Sequence, residues 1–156
     1  RVINHIYSSP FLRCVQTAYP ISLRSGINIR IDNRLSEWLN PEWYSSIPQT
    51  SSSKELFNCF PTVDLNYCIQ DFPVFPELTP DPHVDRRVIQ FWNSVTPEMG
   101  NTVIITHGTP IKILLKHFGL PVSKPSKGSI IHVVKEKSVF KLIGIYDDMV
   151  NWTPAH

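Results

Sequence analysis

Three residues, in three separate stretches of this 156-residue sequence, have the chemistry to hold an anion and move a proton: Arg13, Glu37 and His107. A guanidinium is a planar fork that meets two oxygens of a phosphate-like anion at once. An imidazole donates or accepts a proton near neutral pH. Glu37 lies between Leu35 and Trp38, where partial desolvation suits a carboxylic acid to donate a proton. Each also has an ordinary reading: a solvated arginine on a turn, a surface glutamate before a loop, a structural histidine. They become a mechanism only if the fold makes them converge.

Two elements of the same design can do this. Val2 to Tyr7 is rich in β-branched and aromatic residues and predicts a strand, after which Ser9 stands as an N-cap and Pro10 at the first helical position. Helical Cβ atoms tilt toward the N-terminus, so Arg13 can reach back to free N–H groups and the positive end of the helix dipole. Thr102 to Ile105 repeats the pattern, followed by His107, Gly108, a capping Thr109 and Pro110. In open α/β sheets ligands collect beyond the carboxyl ends of the strands. If the two strands are parallel neighbours, Arg13 and His107 face one crevice.

Elsewhere, Pro20 is expected to bend or end the first helix, and Gly26 to close the connection into a strand over Ile27–Ile31. From Pro41 to Pro82 there are seven prolines and no glycine. This predicts a stiff, irregular insertion that packs on the body through its aromatic residues and forms a wall or lid. Val84, Val88, Phe91, Trp92 and Val95 recur at helical spacing, with Arg86, Arg87, Gln90 and Asn93 placed opposite, so residues 83–95 predict an amphipathic helix. The next helix carries Ile111, Leu114, Leu115 and Phe118 and stops at Gly119. Ser129–Val134 and Val139–Ile145 predict a hairpin finishing the sheet.

The bulk properties exclude several classes. A net charge of +2 is too small to imply nucleic-acid binding, although seven lysines lie between Lys112 and Lys141. No apolar run approaches the about 20 residues of a membrane span. Cys14, Cys59 and Cys68 are odd in number and lack C-x-x-C spacing, so neither a disulfide framework nor a zinc site is expected and a reducing, cytoplasmic setting fits. The length suits one domain, 1–156, with 41–82 as its insertion.

Ser8-Ser9-Pro10-Phe11-Leu12-Arg13-Cys14-Val15-Gln16-Thr17-Ala18, Leu35-Ser36-Glu37 and Ile105-Thr106-His107-Gly108, in that order, resemble three signatures of the histidine phosphatase, or phosphoglycerate-mutase-like, superfamily. Arg13 to Ala18, Glu37-Trp38, Glu55-Leu56, Val63-Asp64 with Tyr67, and Asn151-Trp152 are most similar to one branch. It holds the phosphatase domains of ubiquitin-associated and Src-homology-3-containing proteins and the insect ecdysteroid-phosphate phosphatases. The resemblance implies a three-layer α/β/α fold, a mostly parallel sheet with helices on both faces. It implies phosphomonoester hydrolysis through a phosphohistidine, with a phosphorylated protein or a small-molecule phosphomonoester as substrate, no metal or other cofactor, and a homodimer. Arg13 would clamp phosphoryl oxygens, Glu37 protonate the leaving oxygen, and His107 hydrogen-bond the transferring group. Ser9 and Gly108, at the two helix starts, would bind substrate.

The family's nucleophile is a histidine in an Arg-His-Gly motif, and this sequence contains none. The expectation is therefore a partial domain whose first strand, an interior one, precedes Val2, so that this chain alone is inactive and its sheet has an unfilled gap. The alternative is a non-catalytic phosphate-binding or dimerisation module; a mutase fits less well, because Glu37-Trp38 resembles the phosphatase version of the acid motif.

Overall fold

The β-branched and aromatic start of the chain forms strand β1 (His5–Ser8), which runs parallel between β2 (Ile29–Ile31) and β3 (Thr102–Ile105) in a three-stranded sheet. The computed structural model describes residues 2–67, 71–78, 83–95, 100–121, 125–137, 139–147 and 151–154. Cys68, Pro80, Pro82, Lys124 and Ser138 lie outside them. The chain divides into two units, Arg1–Pro110 and Ile111–His156.

In the first unit, successive side chains of β1 point to opposite faces of the sheet. Ile6 joins a buried cluster with Val15 and Ala18 of helix α1 (Leu12–Ser25), Ile29 and Ile31 of β2, Leu56 of helix α2 (Ser53–Cys59), and Val63. Tyr7 turns the other way, to Leu35 and to Phe91 of helix α3 (His83–Ser94). Its ring meets that of Phe91 edge-on at 5.3 Å. Each such side chain, fully buried, contributes about 1.5–3 kcal/mol.

Strand β1 is flanked on both sides. Ile6 pairs with Ile29 on one side and Val103 on the other, so both edges of the strand have their backbone groups satisfied. The outer edge of β2 gains a parallel bridge, Ile29 donating to Thr62 O at 2.7 Å and Asp64 donating to Ile29 O at 2.8 Å.

Three local expectations are corrected. Helix α1 starts at Leu12, with Phe11 as a cap lacking a side-chain bond; Ser9 is not the N-cap, because its hydroxyl is engaged by His107 at 2.8 Å. Pro20 does not end α1, which continues to Ser25 and stops where Gly26 takes φ 71°, a left-handed turn. Pro20 and Gln16 both face solvent, so water can satisfy the carbonyl that loses its partner while the opposite face stays packed. The insertion is not wholly irregular: α2 is opened by a capping box in which Ser52 and Glu55 bond reciprocally.

Helix α4 (Gly108–His117) begins before the expected cap at Thr109 and carries Pro110 within its first turn, where no N–H partner is lost. Gly119 (φ 70°) closes it, with Leu120 donating to Leu115 O at 2.9 Å. In the second unit β4 (Ile130–Glu136), β5 (Val139–Asp147) and β6 (Asn151–Pro154) form an antiparallel sheet in the order β4-β5-β6. The predicted hairpin is there, but it pairs with β6 and not with the parallel strands. A short connection favours antiparallel pairing of the strands it joins, whereas parallel pairing needs a long crossover. Phe118 stacks on Phe140 at 4.2 Å. Among the described residues no helix is long and apolar enough to cross a membrane.

Candidate active site

The parallel register of β1 and β3, Ser8 opposite Ile105, carries both chains out of the sheet side by side, and Ser9 N donates to Ile105 O at 2.9 Å. Two residues further on, His107 turns back over Ser9. Its Nε2 lies 2.8 Å from Ser9 Oγ, and its Nδ1 lies 2.9 Å from Nη2 of Arg13, in the first turn of α1. An arginine can only donate, so Nδ1 is the acceptor. The proton of the neutral ring therefore sits on Nε2 and is donated to Ser9.

The electrostatics agree. Burial, then the charges of Arg13 and Arg87, push the His107 pKa from 6.5 down to about 3, so the imidazole is neutral at physiological pH. Phe11 packs edge-on against the ring at 4.9 Å and carries the Arg13 guanidinium over its own face at 4.8 Å. His107 is buried, whereas Arg13 is exposed. An exposed cation is thus bonded directly to a buried, neutral imidazole.

Cys14 lies against the same ring, with Sγ 3.6 Å from His107 Nε2. Burial pushes its thiol pKa up to about 11 against the pull of Arg13 and Ser9, and the charge of Glu37 adds to the rise. The thiol is protonated and donates to Thr106 O at 3.8 Å.

Glu37 follows a short 3-10 turn, Asn33–Leu35. Its Oε1 accepts from Trp38 N at 2.9 Å, and among the described residues it makes no hydrogen bond to Arg13, Ser9 or His107. Its influence on Cys14 is electrostatic. Gly108 opens α4, and a Cβ added there would meet nothing within 4 Å. The space above that helix start is open. A cleft of about 330 Å³ opens between Pro10, Asn33, Ser52 and Phe72.

The sequence-predicted residues Ser9, Arg13 and His107 thus converge in direct contact, while Gly108 is adjacent by sequence and Glu37 approaches from another loop. Sequence reasoning missed Cys14 as a site residue and misplaced Arg87. Far from the solvent face, Arg87 is 9% exposed and pairs with Glu77, Nε to Oε1, at 2.7 Å. Its signal was present: positions 84, 87, 88 and 91 are an i, i+3, i+4, i+7 stripe. Among the described residues no group of three or more His, Cys, Asp or Glu side chains is placed to hold a metal ion.

Ubiquitin-associated and SH3 domain-containing protein A is 30% identical to this chain over 122 residues in Homo sapiens and 28% over 118 in Mus musculus, each alignment covering 70% of the chain. The ecdysteroid-phosphate phosphatase of Drosophila melanogaster is 26% identical over 147 residues, covering 85%. The matched region is only 18–19% of the length of these relatives. The fold is similar to the crystal structure of the ecdysone phosphate phosphatase from Bombix mori in complex with tungstate, with a TM-score of 0.64 and 20% identity over 99% of this chain and 62% of that one. The profile of the histidine phosphatase superfamily (branch 1) matches residues 1–142, and the chain belongs to that family.

Proposed function

We propose that the protein containing this chain hydrolyses phosphomonoesters through a phosphohistidine, and that these residues supply the clamp and the acid. The observation that carries the reading is the meeting of Arg13 and Ser9 on the imidazole of His107, at the ends of two adjacent parallel strands. Phosphoryl transfer is catalysed chiefly by positioning and charge stabilisation. The Arg13 fork takes two non-bridging oxygens, releasing Nδ1 of His107 as it swings to the anion. Ser9 and the open helix start at Gly108 line the same oxygens. Glu37 gives a proton to the leaving oxygen, so the alcohol departs neutral; water then releases inorganic phosphate from the phosphohistidine.

The nucleophilic histidine of an Arg-His-Gly motif is not among these 156 residues, so this chain alone holds an oxyanion without turning it over. The second reading is a phosphate-binding or dimerisation module without turnover. In the working protein the sheet is a three-layer α/β/α domain, residues 41–82 form a wall of the site, and the protein is a cytoplasmic homodimer acting on phosphorylated protein or a small-molecule phosphomonoester. The wall is supported by Phe72, whose ring lies 6.4 Å from that of Phe11. The test is p-nitrophenyl phosphate hydrolysis by the full-length protein with tungstate binding measured in parallel. Turnover inhibited by tungstate is expected. Tungstate binding without turnover would replace the enzyme with the module, and neither would remove the site.

A further inference from the structure

The loop that carries Glu37 is held by a buried ion pair lying outside the contacts made by Arg13, Ser9 and His107. Arg87 Nη1 donates to Arg34 O at 2.8 Å and Ser36 O at 2.7 Å; Nη2 donates to Glu37 O at 2.9 Å and Glu77 Oε2 at 2.9 Å; Nε donates to Glu77 Oε1 at 2.7 Å. All five N–H groups of the guanidinium are thereby engaged. Glu77 fastens the far side: its Oε2 accepts from Leu39 N at 2.8 Å, its backbone N donates to Leu39 O at 3.0 Å, and its carbonyl accepts from Trp38 Nε1 at 2.7 Å. From the end of β3, Thr106 Oγ1 donates to Leu35 O at 2.7 Å. The carbonyls of 34, 35, 36 and 37 are therefore all bound by side chains, a density of anchoring that burial of a loop alone does not require.

We infer that Arg87 and Glu77 are positioning residues that lock the backbone on both sides of Glu37 and so fix where its carboxyl group stands. The inference rests on the reading of Glu37 as the general acid. With Oε1 held by Trp38 N, the proton to be delivered sits on Oε2. A misplacement of the order of 1 Å costs such a transfer heavily. No lysine can reproduce the arrangement, since one ammonium has three donors at a single point and here five bonds run to four groups. The Glu77 end couples the acid loop to the insertion, so the same pair relays any shift of residues 71–78 to the proton donor.

Arg87→Lys in the full-length protein, assayed on an alkyl phosphate and on p-nitrophenyl phosphate, tests this, because only the poorer leaving group needs the proton. Expected is a kcat loss for the alkyl ester roughly tenfold greater than for the nitrophenyl ester, with KM and tungstate affinity unchanged. Equal losses on both esters, or none, would overturn the inference. Where Arg87→Lys does not fold, Trp38→Phe keeps a half-buried aromatic ring but removes the bond to Glu77 O, and the same selective loss is expected at smaller amplitude; an unselective loss overturns the inference as well. Glu37→Gln run alongside separates the two ideas. If it is selective and the Arg87 and Trp38 variants are not, the acid stands and the strap falls; if Glu37→Gln is itself unselective, the acid reading fails and takes the positioning role with it.

Discussion

At the scale of single residues, the exposed Arg13 and the buried His107 are to be separated by their responses to an oxyanion. Arg13→Ala removes an exposed charged fork, and the net loss is set at the scale of one hydrogen bond to a charged group, about 1.5–3 kcal/mol. Tungstate affinity should fall by roughly tenfold to a hundredfold, and Arg13→Lys should restore little of it. Equal affinity in wild type and Arg13→Ala, measured by calorimetry, would remove Arg13 from the site. For His107 the signature lies in pH. The ring titrates near 6.5 when unfolded and near 3 when folded, beneath the charges of Arg13 and Arg87 and beside the neutral Cys14. Between those values the unfolded chain binds a proton that the folded chain does not. Stability therefore rises with pH across this window and is lost on acidification from 6.5 toward 3, by up to about 1.4 kcal/mol per pH unit. Urea melts of wild type and His107→Gln at several pH values should diverge in slope over that range; parallel curves would mean that His107 is not held neutral by burial. Gly108 supplies a third contrast. A methyl there meets no protein atom within 4 Å, so Gly108→Ala should leave the melting temperature nearly unchanged and yet weaken tungstate binding. A stability loss with unchanged binding would make the glycine structural.

At the scale of elements, apolar spacing was the reliable signal and charge the misleading one. The stripe Val84, Val88, Phe91 located α3 to within a residue, whereas Arg87 was set on the outer face because arginines are mostly exposed, and the ion pair with Glu77 that buries it spans a sequence interval with no local mark. The Ser52-to-Glu55 spacing announced α2 but was masked by the surrounding prolines. The start of α1 shifted to Leu12: Ser9 Oγ takes only a long local bond, from Phe11 N at 3.4 Å, and a shorter tertiary one from His107 at 2.8 Å. Pro20 was over-read: a lost hydrogen bond on a solvated face does not stop a helix whose other face is packed. The weight of α3 in the fold can be measured directly. Phe91 is 0% exposed against Tyr7 and Leu35, and Phe91→Ala should cost about 3–5 kcal/mol in denaturant melts. A loss below 1 kcal/mol would show that α3 is not a support of the sheet.

At the scale of the whole molecule, what could not be read from the chain was strand order. Arg13 and His107 are 94 positions apart, and their meeting depends on β1 and β3 being neighbours, which periodicity alone does not dictate. The same pairing gives β1 a strand on each side, β2 and β3. It leaves the chemistry unequal to the architecture. Arg13 and Ser9 meet on a neutral His107, but the family route needs a histidine that becomes phosphorylated, and the 156 residues hold no Arg-His-Gly. Both ring nitrogens of His107 are engaged here, Nδ1 by Arg13 and Nε2 by Ser9, and in the proposed division of roles the ring hydrogen-bonds the transferring group rather than carrying it. Residues 1–156 expressed alone should accordingly bind tungstate and form no acid-labile phosphoenzyme from p-nitrophenyl phosphate, whereas the full-length protein should form one. Chemical trapping followed by mass spectrometry distinguishes the two. A phosphoenzyme on residues 1–156 that disappears in His107→Ala would overturn the division of roles and make His107 the nucleophile, with Arg13 leaving Nδ1 when the substrate arrives.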